Sequence, residues 1–178
     1  MVNTVDDNRQ SGAGDFWASH GFDGAQWFST PVSLYVLSSG ITAFGSACAG
    51  GYDNVPVLGG MEAPSVGNAN FALELHGAAP GTAAVLLLGA NPAFVPVDLG
   101  LLGANGCTLL VEPALMVAAT TSAGVVQRGD GAARFALPLP AQPSLRGAQL
   151  QAQAAIVDVA TARALPLTLT NALRVVMQ

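Results

Sequence analysis

The sequence predicts an all-β protein, an antiparallel β-sandwich of Greek-key or jelly-roll-like form with an aromatic-rich N-terminal segment docking on it. Three observations carry this reading. Glycine and proline, 21 and 11 of 178 residues, break most of the chain into segments too short for ordinary helices. Apolar residues alternate with polar ones at period two in several of those segments. The segments recur at roughly 8–12-residue spacing with turn residues between them, as in a sandwich or small barrel.

Phe71-Ala72-Leu73-Glu74-Leu75-His76 places its large apolar residues on odd positions and turns Glu74 and His76 the other way, the signature of a half-buried strand. Residues 82–88 are apolar on both faces, which suits a central strand covered on each side by a sheet or long loops. In Gln149-Leu150-Gln151-Ala152-Gln153-Ala154-Ala155-Ile156 three glutamines share one face and Leu150, Ala152, Ala154 and Ile156 the other. Phe71, Leu73, Leu75, Phe135, Leu137, Leu150 and Ile156 are thus expected in one core. Glu74, Gln149, Gln151 and Gln153 should face solvent or a partner. Further strands are expected at 32–36, 107–111, 115–120, 132–137 and 172–177. A hairpin turn is expected at Gly129-Asp130-Gly131, and a single helical turn within Pro143-Ser144-Leu145-Arg146-Gly147. The alanine-rich stretches 151–155 and 161–164 are where a helix competes.

Residues 1–40 differ from the rest, because they hold both tryptophans, Trp17 and Trp27, and a polar opening segment. The expected division is an arm or added strand over 1–40 and the sandwich over 41–178.

Composition excludes several function classes. Six arginines, no lysine and a net charge of −5 leave no basic stripe to follow a phosphate backbone, so no nucleic acid is expected as a partner. A 51% hydrophobic, 10% charged chain carries enough apolar surface to fold. Its longest apolar stretches, 78–90 and 95–102, are interrupted by Pro80, Gly81, Pro96, Asp98 and Gly100, short of the roughly 20 residues of a spanning helix. Membrane insertion is therefore not expected. The first nine residues lack a basic and an apolar region, so no signal peptide is legible. The chain is either cytosolic or the mature part of a secreted protein.

No Gly-x-Ser-x-Gly elbow, His-Glu-x-x-His, Walker loop or dinucleotide fingerprint occurs. Glu62, Glu74 and Glu112 are the only glutamates, and nothing in the sequence brings one beside Asp98 or Asp158 for paired-carboxylate chemistry. His20-Gly21-Phe22-Asp23 lacks a partnered nucleophile. No cofactor is expected. Asp6, Asp7 and Asn8 with Asp15 or Asp23 could offer oxygens to Ca²⁺, but without the regular spacing of a calcium loop a solvated acidic arm is favoured. Arg128-Gly129-Asp130 is read as ordinary turn residues. Cys48 and Cys107 lack metal-site spacing, and neither His20 nor His76 sits in a ligand pattern.

Phe16-Trp17, Phe22 and Trp27-Phe28 form an aromatic cluster read in two ways: a plug sealing one end of the sandwich, or a platform that stacks on sugar rings or polymer surfaces. In the second reading Trp17, Trp27, Asp23 and Gln26 are the ligand-binding residues, the aromatics supplying faces and the polar pair hydrogen bonds.

Residues 44–178 carry a family resemblance. Phe44-Gly45-Ser46-Ala47-Cys48-Ala49-Gly50, Pro64-Ser65-Val66-Gly67-Asn68-Ala69-Asn70-Phe71, Leu86-Leu87-Leu88-Gly89 and Leu101-Leu102-Gly103-Ala104-Asn105-Gly106-Cys107-Thr108-Leu109 come first. Leu137-Pro138-Leu139-Pro140, Pro143-Ser144-Leu145-Arg146-Gly147 and Thr170-Asn171-Ala172-Leu173-Arg174 follow in order. Together they resemble a C-terminal β-rich accessory module of large secreted and surface proteins from planctomycetes and myxobacteria. The resemblance implies a secreted or cell-surface, non-catalytic module with one disulfide, here Cys48 to Cys107. The first expectation for its role is adhesion, surface attachment or targeting to a polysaccharide or other polymer. The second expectation is a structural subunit that assembles with copies of itself through residues 1–40. A hydrolase is a distant third.

Overall fold

A computed structural model describes residues 15–22, 27–33, 37–51, 54–60, 62–123 and 130–178. The chain divides into two compact units, Met1–Val36 and Leu37–Gln178. In the first, β1 (Asp15–Phe22) and β2 (Trp27–Ser33) form an antiparallel hairpin that runs from Phe22 opposite Trp27 to Asp15 opposite Ser33. The strand expected at 32–36 begins within β2, and its residues 34–36, like Asp23, Gln26 and the turn residue Gly129, lie outside the described residues.

The second unit is an all-β sandwich of antiparallel strands. Its larger sheet has the order β3 (Ile41–Phe44), β12 (Leu167–Val176), β11 (Gln149–Val157), β6 (Ala83–Gly89), β9 (Leu115–Thr120). Its smaller sheet has the order β10 (Gly131–Ala136), β5 (Ala72–Ala78), β4 (Val57–Gly59). A two-stranded ribbon, β7 (Val97–Asp98) with β8 (Thr108–Leu109), rises from the connection between β6 and β9.

Period-two alternation works here as the sequence reading expects. Leu73 and Leu75 of β5, Phe135 of β10, Leu86 of β6, Ala152, Ala154 and Ile156 of β11, and Leu173 and Val175 of β12 meet between the sheets in one core with Phe71 and Leu58. Leu137 and Leu150 pack half-buried against it. Asn171 supplements the seam: its side-chain oxygen accepts from Leu58 N at 2.9 Å and its amide donates to Leu58 O at 3.1 Å, tying β12 to the edge of the opposite sheet. Leu73 has no exposed surface. Leu73→Ala is expected to cost about 2–5 kcal/mol in a urea-unfolding measurement, the lost transfer energy plus the cavity it leaves.

Two expectations are corrected. The glutamine face of β11 does not meet solvent, although Gln149 does. Gln151 is only 6% exposed and Gln153 not at all. The alternation is right and β11 is a strand rather than a helix, but the chain from Leu99 to Val111 folds over that face and covers it. The second correction concerns 107–111, which forms only the two-residue β8. Pro143–Leu145 is a 3₁₀ turn, as the helical-turn reading anticipated. β6 is a central strand buried on both faces, with Ala84, Leu86 and Leu88 in the main core and Leu87 turned to the covered side. At its end Gly89 is required by close approach, because a Cβ there would strike the carbonyl oxygen of Glu112.

Candidate functional site

The covering segment is built around the disulfide between Cys48 and Cys107. Both cysteines are buried with Leu99, Ala104 and Leu169 in a second apolar cluster, on the face of the large sheet opposite the main core. Cys48 N donates to Leu169 O at 2.9 Å, and Cys107 N closes a turn on Ala104 O at 3.1 Å. The bridge thus pins the covering segment to β12. Gln153 pins it to β11: its side-chain oxygen accepts from Leu110 N at 2.8 Å, and its amide donates to Thr108 O at 3.1 Å and Thr170 O at 2.9 Å. A glutamine carries one carbonyl and two N–H groups, and all are used. Its burial is therefore compensated. The segment's 3₁₀ turn, Gly100–Leu102, holds Leu101 98% exposed.

Three of the described carboxylates serve local structure. Asp158 is buried and accepts from Gly51 N at 2.9 Å and Ala160 N at 3.1 Å, which shapes the β11–β12 turn. Asp98 accepts from Gly100 N at 2.8 Å, and Glu112 from the Asn91 amide at 2.7 Å. Among the described residues no group of three or more His, Cys, Asp or Glu is placed to hold a metal ion.

A different grouping lies on the outer face of the small sheet. Because Leu73 and Leu75 turn inward, β5 presents Glu74 and His76 outward, and the ladder sets Arg134 of β10 directly opposite Glu74. These three side chains line a shallow depression of about 290 Å³ with Ala132 and Ala133. Glu74 Oε2 and His76 Nε2 are 3.5 Å apart. Arg134 Nη2 donates to Asn70 O at 3.0 Å, which steadies a guanidinium with further N–H groups turned to solvent. The lining contains no hydroxyl or thiol nucleophile. The sequence reading turned Glu74 and His76 outward but did not single out Arg134. Alternation about Phe135 was the signal that could have found it.

Of the sequence-expected binding residues, Trp17 lies on β1 opposite Pro31 and Trp27 on β2 opposite Phe22. The Ca²⁺ reading rests on Asp6, Asp7, Asn8 and Asp23, outside the described residues, and on Asp15 at the start of β1.

The fold and its bridge define a disulfide-pinned antiparallel β-sandwich with a two-layer core and a covering segment. No family model, curated protein or solved structure matches the chain.

Proposed function

We propose that this chain is a non-catalytic accessory module that works outside the cell by attaching to a polyhydroxylated polymer. The observation that carries the reading is the depression on the small sheet. A carboxylate, an imidazole and a guanidinium line it with Ala132 and Ala133, without a hydroxyl or thiol among them. Carboxylate and guanidinium groups hydrogen-bond neighbouring hydroxyls from a shallow surface, as polymer recognition requires. The disulfide supports an oxidising compartment, where such bonds persist. Trp17 and Trp27, with Asp23 and Gln26, supply a second contact of the stacking type.

Retention on a panel of insoluble polysaccharides tests this. Replacing Trp17 and Trp27 together with alanine, or Glu74 and Arg134 together with alanine, should each abolish retention and leave the melting temperature unchanged. A melting temperature lowered by several degrees in the tryptophan variant, with no retention to lose in the parent, would return the aromatics to a core and remove the polymer reading.

A further inference from the structure

We infer that the polymer held at the depression on the small sheet is acidic and that Arg134 takes the carboxylate of a hexuronate unit, an inference that rests on the polymer reading above. Glu74 and Arg134 stand directly opposite each other in the β5–β10 ladder, where opposite charges pair across strands. They do not pair here, and Arg134 forms no ion pair among the described residues. Glu74 Oε2 lies instead 3.5 Å from His76 Nε2 along its own strand. Arg134 Nη2 donates to Asn70 O at 3.0 Å, a neutral acceptor that leaves the positive charge without an anion beside it. A guanidinium carries several N–H groups, so most of the fork stays open for a ligand.

The sheet is shaped around these groups. Gly131 pairs with Ala78 and Ala133 with Leu75, so His76 and Gly77 of β5 oppose the single Ala132 of β10. That is a bulge, and Gly77 forms it with a φ of +69°. The Asn54 amide donates to the Gly77 carbonyl oxygen, which satisfies the bulged backbone. Leu75 and Ala78 both reach the main core, whereas strict alternation would have put Ala78 on the face of Glu74 and His76. A bulge re-aims the side chain it carries, and this one carries His76. With only methyl groups on Ala132 and Ala133, the lining leaves about 290 Å³ beside the three polar side chains.

The ligand class follows from what the side chains offer. The open fork of a guanidinium matches a planar carboxylate, two parallel N–H donors meeting two oxygens. The Glu74 carboxylate only accepts, so it calls for hydroxyl donors. The ligand therefore needs a carboxylate and free hydroxyls within reach of one another. A hexuronate unit carries both on one ring, whereas a neutral hexose lacks the first and a simple carboxylate the second. Glu74 opposes the incoming anion across solvent that screens it, while Arg134 meets that anion in contact. The net charge of −5 gives an acidic polymer no long-range attraction, so this contact has to select it.

Retention of the full chain on immobilised polygalacturonate, on its methyl ester, on dextran sulfate and on cellulose tests the inference. The parent is expected to bind polygalacturonate at least about tenfold more strongly than the ester, which keeps the hydroxyls and loses the charge. Arg134→Gln and Arg134→Lys should both lose that preference with an unchanged melting temperature, the latter because it keeps the charge without the fork. Arg146→Gln makes the same charge change beside the 3₁₀ turn and should bind as the parent does. Soluble galacturonate oligomers should elute the parent and their methyl esters should not, a readout that needs no variant. Equal retention on polygalacturonate and on its ester or cellulose overturns the uronate assignment and leaves the polymer reading standing. So does polygalacturonate binding that survives Arg134→Gln, or dextran sulfate binding that is as strong and survives Arg134→Lys. No retention on any of the four overturns the inference together with the reading it rests on.

Discussion

Replacing Cys48 and Cys107 together with alanine is expected to lower the unfolding free energy by about 4 kcal/mol, because the bridge closes a loop of 59 residues and its loss returns that freedom to the unfolded chain. The expected result is a melting temperature lower by roughly 10–15 °C, from the usual relation between stability and melting temperature for a unit of this size. The bridge also pins the covering segment to β12. Amide exchange should therefore accelerate first at Leu99, Ala104 and position 107, whose backbone bonds lie within that segment. Measured loss under about 1 kcal/mol would mean that packing of the second cluster alone holds the segment.

The second large effect is expected at Gln153. Gln153→Leu keeps the volume and removes the polar partner of Leu110 N–H and of the carbonyls of Thr108 and Thr170, around a side chain with no exposed surface. Unpaired buried groups cost about 1–3 kcal/mol each, and partial relaxation brings the expected total to about 3–5 kcal/mol. Gln153→Glu should be worse at neutral pH, since it aims a carboxylate oxygen at two carbonyl oxygens. Urea unfolding of both variants checks the order, and the Leu110 amide should lose its exchange protection in each. Gln153 and the disulfide hold the same segment. Their effects combined in one chain should therefore depart from additivity.

The position of Gln153 also marks where a one-dimensional reading stops. Alternation over residues 149–156 was legible, and it sorted the side chains correctly onto two faces. Which faces are wet is not a local property. The glutamines are covered by a segment that precedes them by some forty positions in the chain, and Gln153 is placed there because a strand buried on both sides needs a polar side chain to satisfy the irregular backbone lying on it. A polar residue at a regular period therefore looked solvent-exposed when it was in fact a bracket. The same limit applies to Arg134, an ordinary exposed arginine until the ladder places it opposite Glu74.

The amino-acid sequence by itself determined the class of fold, the positions of β5, β6, β9, β10 and β11, the inward and outward faces of β5, and the 3₁₀ turn at Pro143–Leu145. These follow from backbone sterics and from the period at which apolar side chains recur, both of which act over a few neighbouring residues. The cysteine pairing entered through family resemblance, and the structure places the two sulfurs in one bond. Only the tertiary structure decided that the large sheet is covered on its second face, that Glu74, His76 and Arg134 share one depression, and that β9 ends the large sheet. Each of these depends on which distant segments become neighbours. That is settled by the packing of the whole unit, where burial of one face and satisfaction of every buried backbone group must be met at once.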